Sequence, residues 1–449
     1  MKSRNSRRFR RGVAALAAIV MIPMLAACGS SGGTGDAGKV DGSKIVLQTI
    51  SALQPTFQKF ADAYMKEYPK RKVEVRATTD DGNAYAQQLA TARISGKLPD
   101  VFFNVDWLAN TLASNNVTLD MAPGIKEGKL GKLRIDDFLP QFVGLFRPLQ
   151  HPDQVTGLPV SADSVALFYN KDTFKKAGVT DLPKASWTWD DMYRVAAEIN
   201  TKSGGKYVGL GAPLTNGGNL LTAGPVLKAF GADYYNAKTN KTDIGSPDAI
   251  KAWTLLLGAY GDVSGPYSAA PTAPKELQFQ SGNVAMAFAS SGTVPSIRQT
   301  MANQDWDVIP MPKINGKSTA GGGAYGLSIA QTSKNQDAAW AFLSWFYDAN
   351  KGMKVAEKVA NVIPPTNDGI DHGTWRDVTP PANIASFAKS ARSAVLMTTL
   401  PGTAGTTMTD ATTKATQQVE LKGMSIKDAF MQAQDTVNAQ LAKDAPKKK

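Results

Sequence analysis

The chain has 449 residues, with 50 Lys and Arg against 38 Asp and Glu, a formal net charge of +12, one cysteine and two histidines. That length exceeds what one hydrophobic core ordinarily supports, so two lobes are the default expectation. A lone cysteine is unsuited to a disulfide within the chain, and His151 and His372 give little basis for a His-rich metal site or a Ser-His-Asp triad.

The chain opens on "MKSRNSRRFRRG", which carries six cations from Lys2 to Arg11 and no acid. The apolar run "VAALAAIVMIPML" follows and is too short to serve comfortably as a permanent membrane span. A basic head, a short apolar stretch and small residues read as a secretory signal peptide over 1–27, which stands outside the fold. Leu25-Ala26-Ala27-Cys28 resembles the bacterial lipoprotein lipobox. The resemblance implies cleavage before Cys28, acylation of its sulfur and a lipid anchor in the membrane. The Gly-, Ser- and Asp-rich string behind it reads as a flexible tether over 28–44. Without residues 1–27 the net charge falls to +6, spread along the chain except for "KDAPKKK", a solvated basic tail over 441–449. No stretch interleaves aromatics with Lys and Arg as a nucleic-acid reader does, so no nucleic-acid partner is expected.

"IVLQTI" (45–50) reads as a strand, and Phe57, Phe60, Tyr64 and Tyr68 then recur at helical spacing up to Pro69. "KVEVRAT" alternates as a strand, a helix passes through Tyr85, Leu89 and Ala92 to Gly96, and "PDVFFNVDW" holds the next buried strand. This alternation predicts a parallel α/β lobe, in which ligands sit beyond the carboxyl ends of the strands. Asp106 and Trp107 fall at such an end. Further on, Val165 to Tyr169 read as a strand, and Asn170-Lys171-Asp172 opens a helix that ends near Gly178. Trp187 and Trp189 anchor the start of a helix, "VLKAFGADYYN" is expected to bury Phe230 and Tyr235, and Trp340, Phe342, Leu343, Trp345 and Phe346 form a core stripe.

The segment "TGLPVSADSVALFYNKDTFKKAGV" (156–179) resembles the family-1 extracellular solute-binding proteins of ABC importers, the group that includes the maltose/maltodextrin-binding protein. "SGKLPDVFF" (95–103), "WTWDDM" (187–192), "AAWAFLSWFYDANKG" (338–352) and "LKGMSIKDAFMQAQDTV" (421–437) match the family in order and spacing, so the resemblance covers about 45–440. It implies an α/β fold of two doubly wound lobes joined by three crossover strands, the type II periplasmic-binding-protein plan. Carried onto this chain, lobe 1 is 45–160 and 326–364, and lobe 2 is 163–322 and 367–440. The crossings fall near Pro159–Ser164, "GGGAYGLS" (321–328) and "NVIPPTND" (361–368), where glycines permit unusual dihedrals and Pro364-Pro365 favours an extended path. The implied protein is a monomeric, lipid-anchored sugar binder on the outer face of the cell membrane, in a Gram-positive cell. Its implied partners are a carbohydrate ligand and permease subunits with a separate ATPase, since no GxxxxGK[ST] loop is present. Neither metal nor cofactor nor catalytic role is implied.

Sugars call for carboxylates or amides at the ring edge and aromatic platforms against the ring faces. Carried over from the family's cleft, the candidate contacts are Asp106 with Phe103 and Trp107, Asp163 at the first crossing, Asn216 and Asn219, Ser291 between Ser290 and Gly292, and Tyr325. Two departures stand out: no tryptophan follows "MAFASS", and "MTTLPGTAGTTMTDATTK" (397–414) lacks an aromatic, leaving Tyr207, Tyr234 or Trp375 to substitute. Other readings remain open. They are a binder of a polyamine, glycerol phosphate or peptide, a structural surface lipoprotein, and an exported glycoside hydrolase using Asp106 and Asp163.

Overall fold

The computed structural model describes residues 44–211, 220–258, 260, 263, 278–396 and 400–445. The expected signal peptide, the Cys28 anchor, Asn216 and Asn219 lie outside these residues, as does most of the tether. The strands in chain order are β1 (Lys44–Ile50), β2 (Lys72–Thr78), β3 (Val101–Val105), β4 (Leu158–Pro159), β5 (Asp163–Asn170), β6 (Val208–Leu210), β7 (Val284–Ser290), β8 (Trp306–Ile309), β9 (Lys313–Ile314), β10 (Lys317–Ser318), β11 (Gly322–Gly323) and β12 (Tyr325–Ile329). β1 begins one residue inside the stretch read as tether.

One sheet has the order β2-β1-β3-β12-β4, and a second has β11-β5-β7-β6, with β8 on the remaining half of the β11 edge of β5. β1, β2 and β3 are parallel, as the alternation of strands and helices requires. β12 runs against β3, and β5 runs against all its neighbours, so neither sheet is purely parallel. The reason is connectivity: both strands enter their sheets directly from the other sheet, without the crossover helix a parallel pair needs. Among the described residues no helix is long and apolar enough to cross a membrane.

The first sheet packs on the helices Gln54–Glu67 and Gln336–Tyr347. Phe60 and Tyr64 of the former meet Phe342, Trp345 and Phe346 of the latter edge to face, for example Phe60 on Phe346 at 5.3 Å. The second core is built on β5 and the helices Trp189–Lys202 and Pro247–Leu257. The antiparallel pair Ala404–Lys422 and Ile426–Asp444 closes it, with Trp253 stacked on Phe430 at 4.1 Å. That last helix runs through 441–444, which were read as tail: Leu441 is buried, and the Asp444 carboxylate accepts the Thr403 and Ala404 N–H groups. Trp187 and Trp189 are buried at their helix start. Phe230 and Tyr235 are only half-buried, and Tyr234 takes the interior place instead.

β4 leads to β5, and β11 to β12, each through at most a few residues that pass from one sheet to the other. The segment around Ile363 lies beside the first of these, and Val160 N–H donates to Tyr325 O at 2.8 Å while Ala162 N–H donates to Ile363 O at 2.9 Å. A third apolar cluster surrounds this bundle. It gathers Phe142 and Phe146 with Phe168 and Trp306 and with the connecting residues Ala162, Ala324 and Ile363.

Candidate ligand-binding site

β3 is almost fully buried, and the helix Asp106–Ser114 starts directly at its carboxyl end. Asp106 is half-buried, and its carboxylate accepts the N–H of Trp107 at 2.7 Å and of Ala324 at 3.1 Å. In return the Asp106 N–H donates to the Ala324 carbonyl at 3.1 Å. A carboxylate of the first sheet is thereby tied, by two reciprocal bonds, to the residue joining β11 to β12.

Asp163 opens β5 beside the end of β7, because Val165 pairs with Ser290. Its carboxylate accepts the Ser291 hydroxyl and the Gly292 N–H, the latter at 2.8 Å. On its other side the register partner of Asp163 is Gly323, the residue before Ala324. The two aspartates therefore flank consecutive residues of one connecting strand. A Cβ on Gly323 would lie 2.6 Å from Asp106 Oδ2, so only glycine leaves that carboxylate in place.

Burial pushes the Asp106 pKa up, backbone N–H donors at Ala324 and Trp107 pull against it, and the Asp163 charge pushes it further. Burial also pushes Asp163 up, opposed by Ser291 and Gly292. Tyr325 is pushed up by burial and then by the Asp163 charge, and its ring lies 6.0 Å from that of Phe103. Two oriented acceptors on either side of one connecting strand, next to a phenol, suit a solute rich in hydrogen-bond donors and disfavour an anion. Among the described residues no three or more His, Cys, Asp and Glu gather to hold a metal ion.

The structure thus brings Asp106, Trp107, Asp163, Ser291 and Tyr325 together around Gly323 and Ala324. Phe103 is placed differently from the expectation: it is 5 % exposed, packed against Phe57 and Tyr85, and supports Tyr325 from within the core. Ser291 is 6 % exposed and its hydroxyl serves Asp163, which removes it as a surface for a sugar ring. Trp107 is 50 % exposed, with its indole against Gly82. None of the suggested substitutes offers a free face near Asp163. Tyr234 and Trp375 are buried, and Tyr207 precedes β6 at the end of that sheet away from Ser290. A cavity of about 330 Å³ lined by Lys171, Phe174 and Lys175 lies at the opposite end of β5 and contains no candidate residue. Gly82 was missed by the sequence reading; the available signal was a glycine after two aspartates at the end of a strand, "TTDDGN".

The family model described as bacterial extracellular solute-binding protein matches residues 50–352, more than half of the chain. A maltotriose-binding protein of Pyrococcus abyssi is 27% identical over 300 residues, which cover 65% of this chain and 59% of that protein. Among solved structures, the sugar-binding protein MalE from Xanthomonas citri superposes with a TM-score of 0.76 at 19% identity, covering 89% of this chain and 98% of that one. An ABC substrate-binding protein from Listeria monocytogenes in complex with cycloalternan gives a TM-score of 0.73 at 23% identity, covering 89% and 99%. These likenesses establish the two-lobed α/β fold of periplasmic binding proteins.

Proposed function

The chain belongs to the bacterial extracellular solute-binding protein family, and from that premise we propose that it captures a sugar or oligosaccharide between its lobes and delivers it to an ABC importer. The family binds solutes and does not catalyse reactions on them, which removes the hydrolase reading. The observation that carries the sugar reading is the placing of Asp106 and Asp163 on either side of Gly323-Ala324, with the half-exposed Trp107 beside Asp106. Carboxylates take sugar hydroxyls at the ring edge, and an indole takes the C–H face. The maltotriose-binding relative and the cycloalternan-bound neighbour support the same class of ligand. The lobes take the boundaries 45–160 with 326–364 and 163–322 with 367–440, and ligand bound by both shifts the population toward a closed form. Permease subunits with a separate ATPase are the partners. Cys28 is acylated and holds the chain on the outer face of the membrane of a Gram-positive cell, a reading that rests on Leu25-Ala26-Ala27-Cys28.

Thermal-shift measurements of the purified protein against mono- and oligosaccharides test this, with polyamines and peptides as controls. A ligand that binds only the folded form stabilises it by about 2.7 kcal/mol at a hundredfold excess over Kd. The expected result is a clear upward shift with one sugar class, absent in Asp106→Ala and Asp163→Ala. A shift with polyamines alone would replace the sugar by an amine at the same two carboxylates, and no shift with any solute would overturn the proposal.

A further inference from the structure

We propose that Gly82 is a positioning residue for the ligand, the seat on which Trp107 is held as an aromatic platform. This rests on the sugar reading of the Asp106–Asp163 site. Gly82 opens the helix Gly82–Ile94, whose N-cap Asp81 accepts the Ala84 N–H at 2.7 Å. The helix start is fastened to the first sheet by Tyr85, fully buried, whose hydroxyl lies 3.0 Å from the Phe103 carbonyl and 3.3 Å from that of Gln48. Phe103 belongs to β3, and Trp107 follows β3 directly with its N–H held by Asp106 Oδ1. Helix start and indole are thus fixed to the same strand and face each other.

The indole occupies the space a side chain at position 82 would need. A Cβ there would lie 2.1 Å from Cη2 and 2.6 Å from Cζ2 of Trp107, closer than any real contact. The backbone does not require glycine, because Gly82 is not among the residues with positive φ. The three atoms nearest such a Cβ all belong to the Trp107 ring. Of the eight tryptophans, all within the described residues, the other seven are at most 4 % exposed while Trp107 is 50 % exposed. A large apolar ring held at the surface, next in sequence to the Asp106 carboxylate, is placed to take the C–H face of a sugar ring bound there.

Trp107 is also a reporter, since it is the one tryptophan open to a collisional quencher. Acrylamide quenching of tryptophan fluorescence in the full chain, with and without the sugar found by thermal shift, reads the seat and the platform separately. In Gly82→Ala the indole must leave its place, so quenching in the absence of sugar changes from that of the parent while the melting temperature stays near it. Sugar affinity falls about fivefold to tenfold, the size of one lost aromatic contact. Trp107→Ala gives a similar loss, and the double variant is no weaker than Trp107→Ala alone, because both changes remove one contact. Bound sugar also suppresses the quenchable component in the parent. Equal quenching and equal affinity in Gly82→Ala and parent would overturn the seat and leave the sugar reading standing. Full affinity in Trp107→Ala would overturn the platform. A parent that binds no sugar would overturn the function and the platform with it, whereas loss of sugar binding in Asp163→Ala with full affinity in both Gly82→Ala and Trp107→Ala sinks this inference alone.

Discussion

Asp163 carries its charge in surroundings that oppose it, and the consequence for stability has a definite sign. Burial raises its folded-state pKa above the value of an open chain, so the native state binds this proton more readily than the unfolded state does. Stability from this group is therefore greatest in acid and is lost as pH rises through the folded pKa. Asp163→Asn removes the charge but keeps a group able to bond Ser291 and Gly292. We expect it to melt at a higher temperature than the parent at pH 7 without ligand, and the gap to close as pH falls through the raised folded pKa toward the ordinary carboxylate value. Thermal denaturation across pH checks this, and an equal or lower melting temperature at pH 7 would mean that the two donors outweigh burial. The same variant loses the sugar-induced shift, a trade of function for stability common at binding sites. Asp106 was legible in the sequence because it stands at the carboxyl end of a strand, whereas Asp163 was legible only through the family resemblance at the first crossing. The role of Ser291 was not, since a hydroxyl next to a glycine carries no local sign of which carboxylate it will meet.

Helix starts and stops were read well wherever the signal is local. The helix start read at Trp187 and Trp189 is closed by a reciprocal cap: Thr188 Oγ1 accepts the Asp191 N–H at 3.2 Å, and Asp191 Oδ2 accepts the Thr188 N–H at 2.9 Å. Thr188→Ala should cost about 1 kcal/mol by denaturant unfolding and leave sugar affinity unchanged. A change in affinity would mean that the helix Trp189–Lys202 reports to the site, which its distance in the chain from β11 and β12 does not suggest. The failure at Phe230 and Tyr235 has an equally local cause. The helix Leu220–Ala229 stops just before them, so a helical face cannot be extended to Tyr235, and the non-helical chain turns Tyr234 inward instead.

At the scale of the whole molecule the connecting segments are packed together rather than loosely strung. Ala162, Ala324 and Ile363 share one apolar cluster with Phe168 and Trp306 of the second sheet and with Ala109, on the helix that follows β3 of the first. Arg298 fastens this region to the segment around Asn361: its guanidinium donates to the Asn361 side chain, to Pro380 O and, at 2.9 Å, to Val378 O. It lies on the helix Val294–Thr300, which starts two residues after Gly292, so the segment bonding Asp163 and the connecting chain share a support. Arg298→Ala should destabilise by about 1.5–3 kcal/mol. Arg298→Lys should not restore the loss, because an ammonium cannot reproduce three donors in a fixed fork. Both are measured by chemical denaturation with sugar titration alongside, and an unaltered midpoint in both variants would remove Arg298 from this role.

Period and punctuation determined the elements and the strand end that carries Asp106, because spacing along the chain is what helices, strands and their termini respond to; the order of motifs, through the family resemblance, determined the two-lobed fold and Asp163. Tertiary structure alone decided three things: that Gly323 stands between Asp163 and Asp106, that Phe103 turns into the core while Trp107 faces out, and that Gly82 is small because an indole needs its space. Each depends on register or contact between segments far apart in sequence. A strand pairing shifted by one residue would reverse which side chains are inside, and no local pattern encodes that choice across such a separation.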